Sequence, residues 1–219
     1  MTQKSSFVCF TGVDGSGKTT HAKRISGYLG RKHFDCTYVW GASRPILSYS
    51  FFALTRALGY WKHTKKNAYT DPLEFAPQVI RRRLAIFWRF LLFIDYQIKT
   101  TFAIRFPLFL GKAVVCDRYF YDLLMELELS KTNSARFTFL LSESLPKPIV
   151  TFFMVISDEL AINRRDFPQS FFSRRNRVLI DFSRIFNFVI IDSSKTIEEN
   201  QEIIRQVVAE RLRGTKEHK

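Results

Sequence analysis

The sequence predicts an α/β fold built on a doubly wound parallel sheet, and three observations carry that expectation. Five short apolar runs recur along the 219 residues, at 7–11, 37–40, 113–116, 149–155 and 188–191. Runs without a polar face fit strands buried on both sides, as in parallel sheets. Helix-like stretches separate the runs, as crossover connections require. The third observation is a glycine-rich loop, Gly12-Val13-Asp14-Gly15-Ser16-Gly17-Lys18-Thr19, set between the first run and the first helical stretch. A chain of this length suits one domain over residues 1–219 with a sizeable core, and no internal repeat or low-complexity linker divides it.

Taken in order, the first strand leads through the loop into a helix over 20–29. About 70 residues separate the second and third strands, too many for a single crossover helix. A helix over 45–60, a polar loop over 62–71 and a long helix within 77–109, bent before Pro107, fill that interval. The run Arg81-Arg82-Arg83 falls at the solvated start of the long helix. A loop and helix over 118–129 follow the third strand, and Pro146 and Pro148 punctuate the approach to the fourth. A helix begins at 158–165, Asp166-Phe167-Pro168 breaks it, and another begins over 169–182. An amphipathic helix over 197–212 closes the fold, ahead of a charged, frayed tail over 214–219.

Composition narrows the classes. No run reaches the ~18 apolar residues of a membrane span. The start carries a single positive charge and too short an apolar run for a secretory leader. Cys9, Cys36 and Cys116 are scattered through apolar runs without metal-ligand spacing, and read as reduced core residues of a cytoplasmic protein. His21, His33, His63 and His218 form no cluster and read as surface residues. The 34 basic residues outnumber 20 acidic ones, giving a net charge of +14 and implying anionic partners. With 23 phenylalanines, peripheral contact with a membrane or a nucleic acid through a basic–aromatic surface is compatible with the composition, as is a homodimer.

The loop matches G-x-x-x-x-G-K-[ST] in its strand–loop–helix setting. Glycines let the backbone wrap an anion, and successive N–H groups with the helix N-terminus point at phosphate oxygens. Gly12, Asp14, Gly15, Ser16, Gly17, Lys18, Thr19 and Thr20 are therefore the expected cradle for ATP. Lys18 reaches the β and γ phosphates, and the Thr19 hydroxyl ligates Mg²⁺. Asp117-Arg118 ends the third apolar run, at the sheet edge where open α/β folds bind ligands. An Asp there holds Mg²⁺ through water, and the adjacent Arg grips a phosphate with its planar fork.

These segments resemble the thymidylate kinase family of P-loop nucleoside monophosphate kinases. Phe10-Thr11-Gly12 through Thr20 is similar to that family's phosphate loop, with Asp14 at the position near the acceptor's sugar. Gly111 through Asp117-Arg118-Tyr119 resembles its Asp-Arg-Tyr segment, and Leu145-Pro146-Lys147-Pro148 the approach to its fourth strand. Ile191-Asp192-Ser193-Ser194 resembles the Ile-Asp-Ala-Ser that ends its fifth. Arg44, in Trp40-Gly41-Ala42-Ser43-Arg44-Pro45, matches the Arg that binds the acceptor phosphate, without the neighbouring Glu. Leu91-Leu92-Phe93 resembles the segment whose Phe stacks on thymine, and Gln97 stands where the family carries a base-recognising Arg. The stretch 163–177, including Arg174 and Arg175, resembles a short lid whose arginines close on transferring phosphates.

The resemblance implies a P-loop kinase sheet of five parallel strands in the order 2-3-1-4-5, flanked by helices. It implies ATP- and Mg²⁺-dependent phosphoryl transfer to a small acceptor, a (deoxy)nucleoside monophosphate. Lys18, Asp117, Arg118, Arg174 and Arg175 would be catalytic. Asp14, Arg44, Phe93, Gln97 and Arg118 would hold the acceptor, and Thr19 and Asp117 the metal. Two alternatives stay open: transfer to a sugar, a phosphorylated metabolite or a lipid-linked alcohol, and a catalytically inactive nucleotide-binding protein.

Overall fold

A computed structural model describes residues 6–41, 46–57, 85–129, 131–156 and 169–217. Arg44, the loop over 62–71, the start of the long helix with Arg81–83, His63, His218 and the first half of the lid lie outside the described residues.

The five apolar runs form one parallel sheet: β1 (Phe7–Gly12), β2 (Cys36–Trp40), β3 (Ala113–Asp117), β4 (Val150–Val155) and β5 (Val189–Asp192). Their order is β2-β3-β1-β4-β5, as expected. Every residue of β1 and β3 is buried, which is why these runs show no polar alternation. Successive side chains still point to opposite faces. Phe7, Cys9, Val114, Cys116 and Phe153 enter one core, and Val8, Phe10, Val115, Phe152 and Met154 enter the other.

The second core is closed by α1 (Lys18–Arg31) and α8 (Ile197–Glu217), through Ala22, Ile25, Leu29, Ile204 and Val208. The first and larger core lies under α3 (Ala85–Thr100), α5 (Phe120–Leu129), α6 (Ala135–Ser144) and α7 (Gln169–Ile185). Between β2 and α3 runs α2 (Ile46–Ala57), whose first turn rests on the buried Asp95 carboxylate. Asp95 accepts from the Leu47 and Ser48 amides at 2.9 Å each and from the Ser48 hydroxyl at 3.0 Å, satisfying orphan donors at a helix N-terminus.

The bend expected before Pro107 is a π-helical turn, Thr101–Arg105, that joins α3 to the short α4 (Phe106–Phe109). It widens the helix by one residue per turn just where Pro107 cannot donate an amide.

Two expectations are corrected, and one helix lies where none was assigned. Helix α6 interrupts what had no assigned element; Ser134 caps it, its hydroxyl accepting from the Phe137 amide at 3.2 Å. Helix α8 runs through Gly214 to Glu217, so those residues are not a frayed tail. His21 is not a surface residue but is 3% exposed, at the crossing of α1 and α8. Its Nδ1 accepts from the Gln201 amide at 2.7 Å. Desolvation, aided by the nearby Arg24 charge, pushes its pKa down to about 4, so the ring is neutral in the folded protein at pH 7. The three cysteines are free as expected, Cys9 and Cys116 buried and Cys36 half-buried at the start of β2.

Candidate active site

Strand register gathers the chemistry at one edge. Asp117 pairs with Phe10 of β1 and Trp40 of β2, so the carboxyl ends of three neighbouring strands meet where β1 hands over to the glycine-rich loop. Gly15 and Gly17 both sit at φ 84°, a left-handed conformation costly for residues with a Cβ. Gly17 is the N-cap of α1, which aims the helix amides back into the loop. The end of β5 braces the loop from below: the Ser193 hydroxyl donates to the Ser16 carbonyl at 2.8 Å.

Lys18 is buried. Its ammonium donates to the Val13 carbonyl at 3.0 Å and to Asp14 Oδ1 at 3.3 Å. Desolvation and the Arg118 charge hold its pKa below the usual lysine range. Arg118 reaches the same Asp14 oxygen with Nη2, so one carboxylate oxygen bridges the two cations. Burial opposes ionisation of Asp14, but Arg118 and Lys18 outweigh it and hold the carboxyl below its ordinary value.

Arg118 itself is unusual. Its φ is +70°, in a region bulky residues rarely adopt. Its amide donates to the Phe10 carbonyl at 2.8 Å, and its carbonyl accepts from Cys116 Sγ at 2.8 Å. The other half of the guanidinium meets Asp122, Nη1 to Oδ1, at 2.9 Å. Asp122 also accepts from the Thr11 hydroxyl at 3.1 Å and the Tyr119 amide at 3.3 Å. Asp14 and Asp122 therefore hold the fork from two sides, and together outweigh burial to raise its pKa.

Asp117 is fully buried. Its Oδ2 accepts from the Thr19 hydroxyl at 2.6 Å and the Tyr38 phenol at 3.0 Å, while Oδ1 has no hydrogen-bond partner. A buried carboxylate oxygen without a donor, on a carboxylate that already binds a threonine hydroxyl, suits a hard divalent cation. Among the described residues no group of three metal-ligating side chains forms.

Gly41, just after β2, packs against this centre. Its amide donates to the Asp117 carbonyl at 2.7 Å, and an added Cβ would lie 1.7 Å from the Arg118 carbonyl oxygen. Lys99 of α3 donates to the Gly41 carbonyl and lies 5.5 Å from the Tyr96 ring. Desolvation lowers its pKa to about 8.

Of the residues expected from sequence, Asp14, Lys18, Thr19, Asp117 and Arg118 converge here. Phe93 is half-buried against the larger core. Gln97, one turn on, donates to the Ser144 hydroxyl at 2.6 Å. Arg175 is buried and paired with Glu126 of α5, whereas Arg174 is exposed on the same helix. Sequence reasoning missed Asp122, Tyr38, Gly41 and Lys99. Only Asp122 left a local signal, an acid four residues after Arg118 in the first turn of a helix.

No protein-family model matches the chain. Over 205 residues it is 25% identical to a probable thymidylate kinase from Methanocaldococcus jannaschii, across 90% of this chain and 93% of that one. The crystal structure of a thymidylate kinase from Ehrlichia chaffeensis shares the fold, with a TM-score of 0.60 over 93% of this chain and 98% of that one, at 17% identity. In sequence and fold the chain is thymidylate kinase-like, which supports reading it as a nucleoside monophosphate kinase-like phosphotransferase.

Proposed function

We propose that this thymidylate kinase-like chain transfers the γ-phosphoryl group of ATP to a (deoxy)nucleoside monophosphate. The observation that carries the reading is the convergence of Lys18, Thr19, Asp117 and Arg118 on one loop at the carboxyl edge of the sheet, bridged by Asp14. Phosphoryl transfer needs little covalent help from a protein; it needs reactants in line and charge neutralised.

Each residue then has a stated task. The loop amides and Lys18 hold the β and γ phosphates. Thr19 Oγ1 and Asp117, whose Oδ1 has no hydrogen-bond partner, would hold Mg²⁺, which would supply charge neutralisation when bound. Tyr38 keeps the other Asp117 oxygen occupied and so fixes the carboxylate plane. Arg118, anchored by Asp122, turns its second nitrogen to the acceptor phosphate. A phosphate oxygen replaces Asp14 Oδ1 between Lys18 and Arg118, and Asp14 moves to the acceptor's sugar. An acceptor phosphate oxygen attacks the γ-phosphorus, the bond to the β,γ-bridging oxygen breaks, and the nucleoside diphosphate of the donor leaves. Arg44 adds to acceptor binding, Phe93 and Gln97 face the base, and Arg174, exposed on α7, flanks the transferring group, whereas Arg175 is held by Glu126.

A second reading, transfer to a non-nucleotide acceptor, is favoured by Gln97. Its amide nitrogen already donates one of its two N–H groups to Ser144, leaving one donor and the carbonyl for a base edge, without the fixed charge of an Arg. ATP consumption by the purified protein over nucleoside monophosphates, sugars and polyprenols separates the two. Lys18→Ala is the control: it removes the only loop ammonium and should lower transfer at least ~10²-fold with the fold intact. Near-normal turnover in that variant refutes the mechanism.

A further inference from the structure

Asp95 and Lys99 stand one turn apart on α3, with the acid on the N-terminal side. That spacing and order ordinarily give an ion pair. Here each side chain binds elsewhere. Asp95 accepts from the amides of Leu47 and Ser48 and from the Ser48 hydroxyl. Lys99 donates to the Gly41 carbonyl. A half-buried ammonium is thus held by a neutral backbone group although a carboxylate lies one turn away, an arrangement that costs stability.

What Lys99 holds lies against the site. The Gly41 amide donates to the Asp117 carbonyl at 2.7 Å, so β3 fixes one side of this residue and α3 the other. Its Cα approaches the Arg118 carbonyl too closely to leave room for a Cβ. Arg118 in turn holds φ +70°, and its carbonyl accepts from Cys116 Sγ. A bulky residue keeps such a conformation only when its surroundings over-determine it. The Gly41 peptide is part of those surroundings, and Lys99 is the side chain that fixes the Gly41 carbonyl.

We infer that Lys99 is a positioning residue: by fixing the Gly41 peptide against the Asp117–Arg118 backbone, it holds Arg118 in the orientation that meets the acceptor phosphate. The inference rests on the acceptor role proposed for Arg118. The contact is also titratable. Desolvation lowers the Lys99 pKa to about 8, with Cys116 and Asp122 acting in the opposite direction. Burial keeps the facing Cys116 thiol and the Tyr96 and Tyr119 phenols protonated at that pH, and Asp122 of α5 is paired with Arg118. Loss of the Lys99 charge weakens the hydrogen bond without removing the donor.

The test measures kcat/KM for the best-used nucleoside monophosphate and Kd for ATP between pH 7 and about 9. In the wild type, kcat/KM should fall about 3–10-fold as pH rises through about 8, while ATP affinity stays constant. Lys99→Met keeps the apolar stem and removes the donor; kcat/KM should drop ~10-fold at pH 7 and show no step near pH 8. Lys99→Arg stays charged throughout, so it should keep kcat/KM within about threefold and also lose the step. Hydrogen exchange gives a reading that needs no acceptor: the Gly41 amide should exchange at least ~10-fold faster in Lys99→Met, while amides inside β3 keep their wild-type rates. That reading decides the inference even where no nucleoside monophosphate is turned over, an outcome that would count against the proposed function alone. Should Lys99→Met melt early, the wild-type and Lys99→Arg profiles decide. Equal kcat/KM in wild type and Lys99→Met, an equal loss in ATP affinity, a step near pH 8 that survives in Lys99→Arg, or unchanged Gly41 exchange overturns the inference.

Discussion

Substituting Gly41 by Ala tests how tightly the end of β2 is fitted to the arginine of the site. The new Cβ would stand 1.7 Å from the Arg118 carbonyl oxygen and 2.6 Å from its carbonyl carbon. Real Cβ contacts do not fall below 3.0 Å, so backbone must separate by at least about 1.3 Å. Neither side can yield cheaply. Gly41 is tied to the Asp117 carbonyl, and Arg118 is tied to Phe10 while already in a left-handed conformation. Overpacking of this kind costs about 1–3 kcal/mol, which for a domain of this size lowers Tm by roughly 3–10 °C. A displacement near 1 Å of a positioning group costs on the order of 10²-fold in rate. Melting and acceptor-dependent ATP consumption should therefore both fall, using whichever acceptor the wild type turns over fastest. Gly30→Ala is the matched control. Nothing lies within 4 Å of its added methyl, and it sits within α1, so it should raise stability by about 0.5–1 kcal/mol. Wild-type melting and turnover in Gly41→Ala would show that the contact has no mechanical consequence.

Asp122→Asn keeps the shape but removes the charge that anchors Arg118; kcat/KM for the acceptor should fall about 10–100-fold while ATP affinity stays constant, and an equal loss in ATP affinity counts against the anchoring role. His21 makes stability depend on pH. Its pKa is lowered from 6.5 to about 4 on folding, so its contribution is complete above pH 6.5 and is lost as pH falls toward 4. Between pH 7 and pH 5 this amounts to about 2 kcal/mol, readable as a urea-midpoint shift that His21→Gln should largely abolish; identical shifts in both proteins would exclude His21 as the source. Gln97→Arg should raise kcat/KM for thymidylate relative to other monophosphates, and strong thymidylate selectivity already present in the wild type would contradict the weak base contact inferred for Gln97.

What could be read in advance follows from where the information sits. Strands buried on both faces announce themselves as unbroken apolar runs, and all five were found within a residue or two of their ends. Helix α6 escaped because exposed Phe139 and Leu140 interrupt the period set by buried Phe137 and Leu141. Gly214 read as a stop, yet an exposed helical glycine with open space around it only weakens a helix. In the site, Lys18, Thr19 and Asp117 were legible because motif spacing encodes them. Tyr38 and Thr19 meet Asp117 across 79 and 98 residues of chain, and Lys99 meets Gly41 across 58. Such contacts exist only after the sheet is assembled, so no local pattern can foretell them.

The strand order β2-β3-β1-β4-β5 also sets a timetable for synthesis. The strand that emerges first, β1, is the centre of the sheet, and its two neighbours begin at Ala113 and Val150. At roughly 5–20 residues per second on the ribosome, Phe7-Val8-Cys9-Phe10 waits on the order of 5–20 s for its first pairing partner and longer for its second. Meanwhile it is an apolar strand with both edges open. Nascent chains halted before β3 would thus expose a strand that the finished sheet buries completely, a species open to aggregation until its partners emerge.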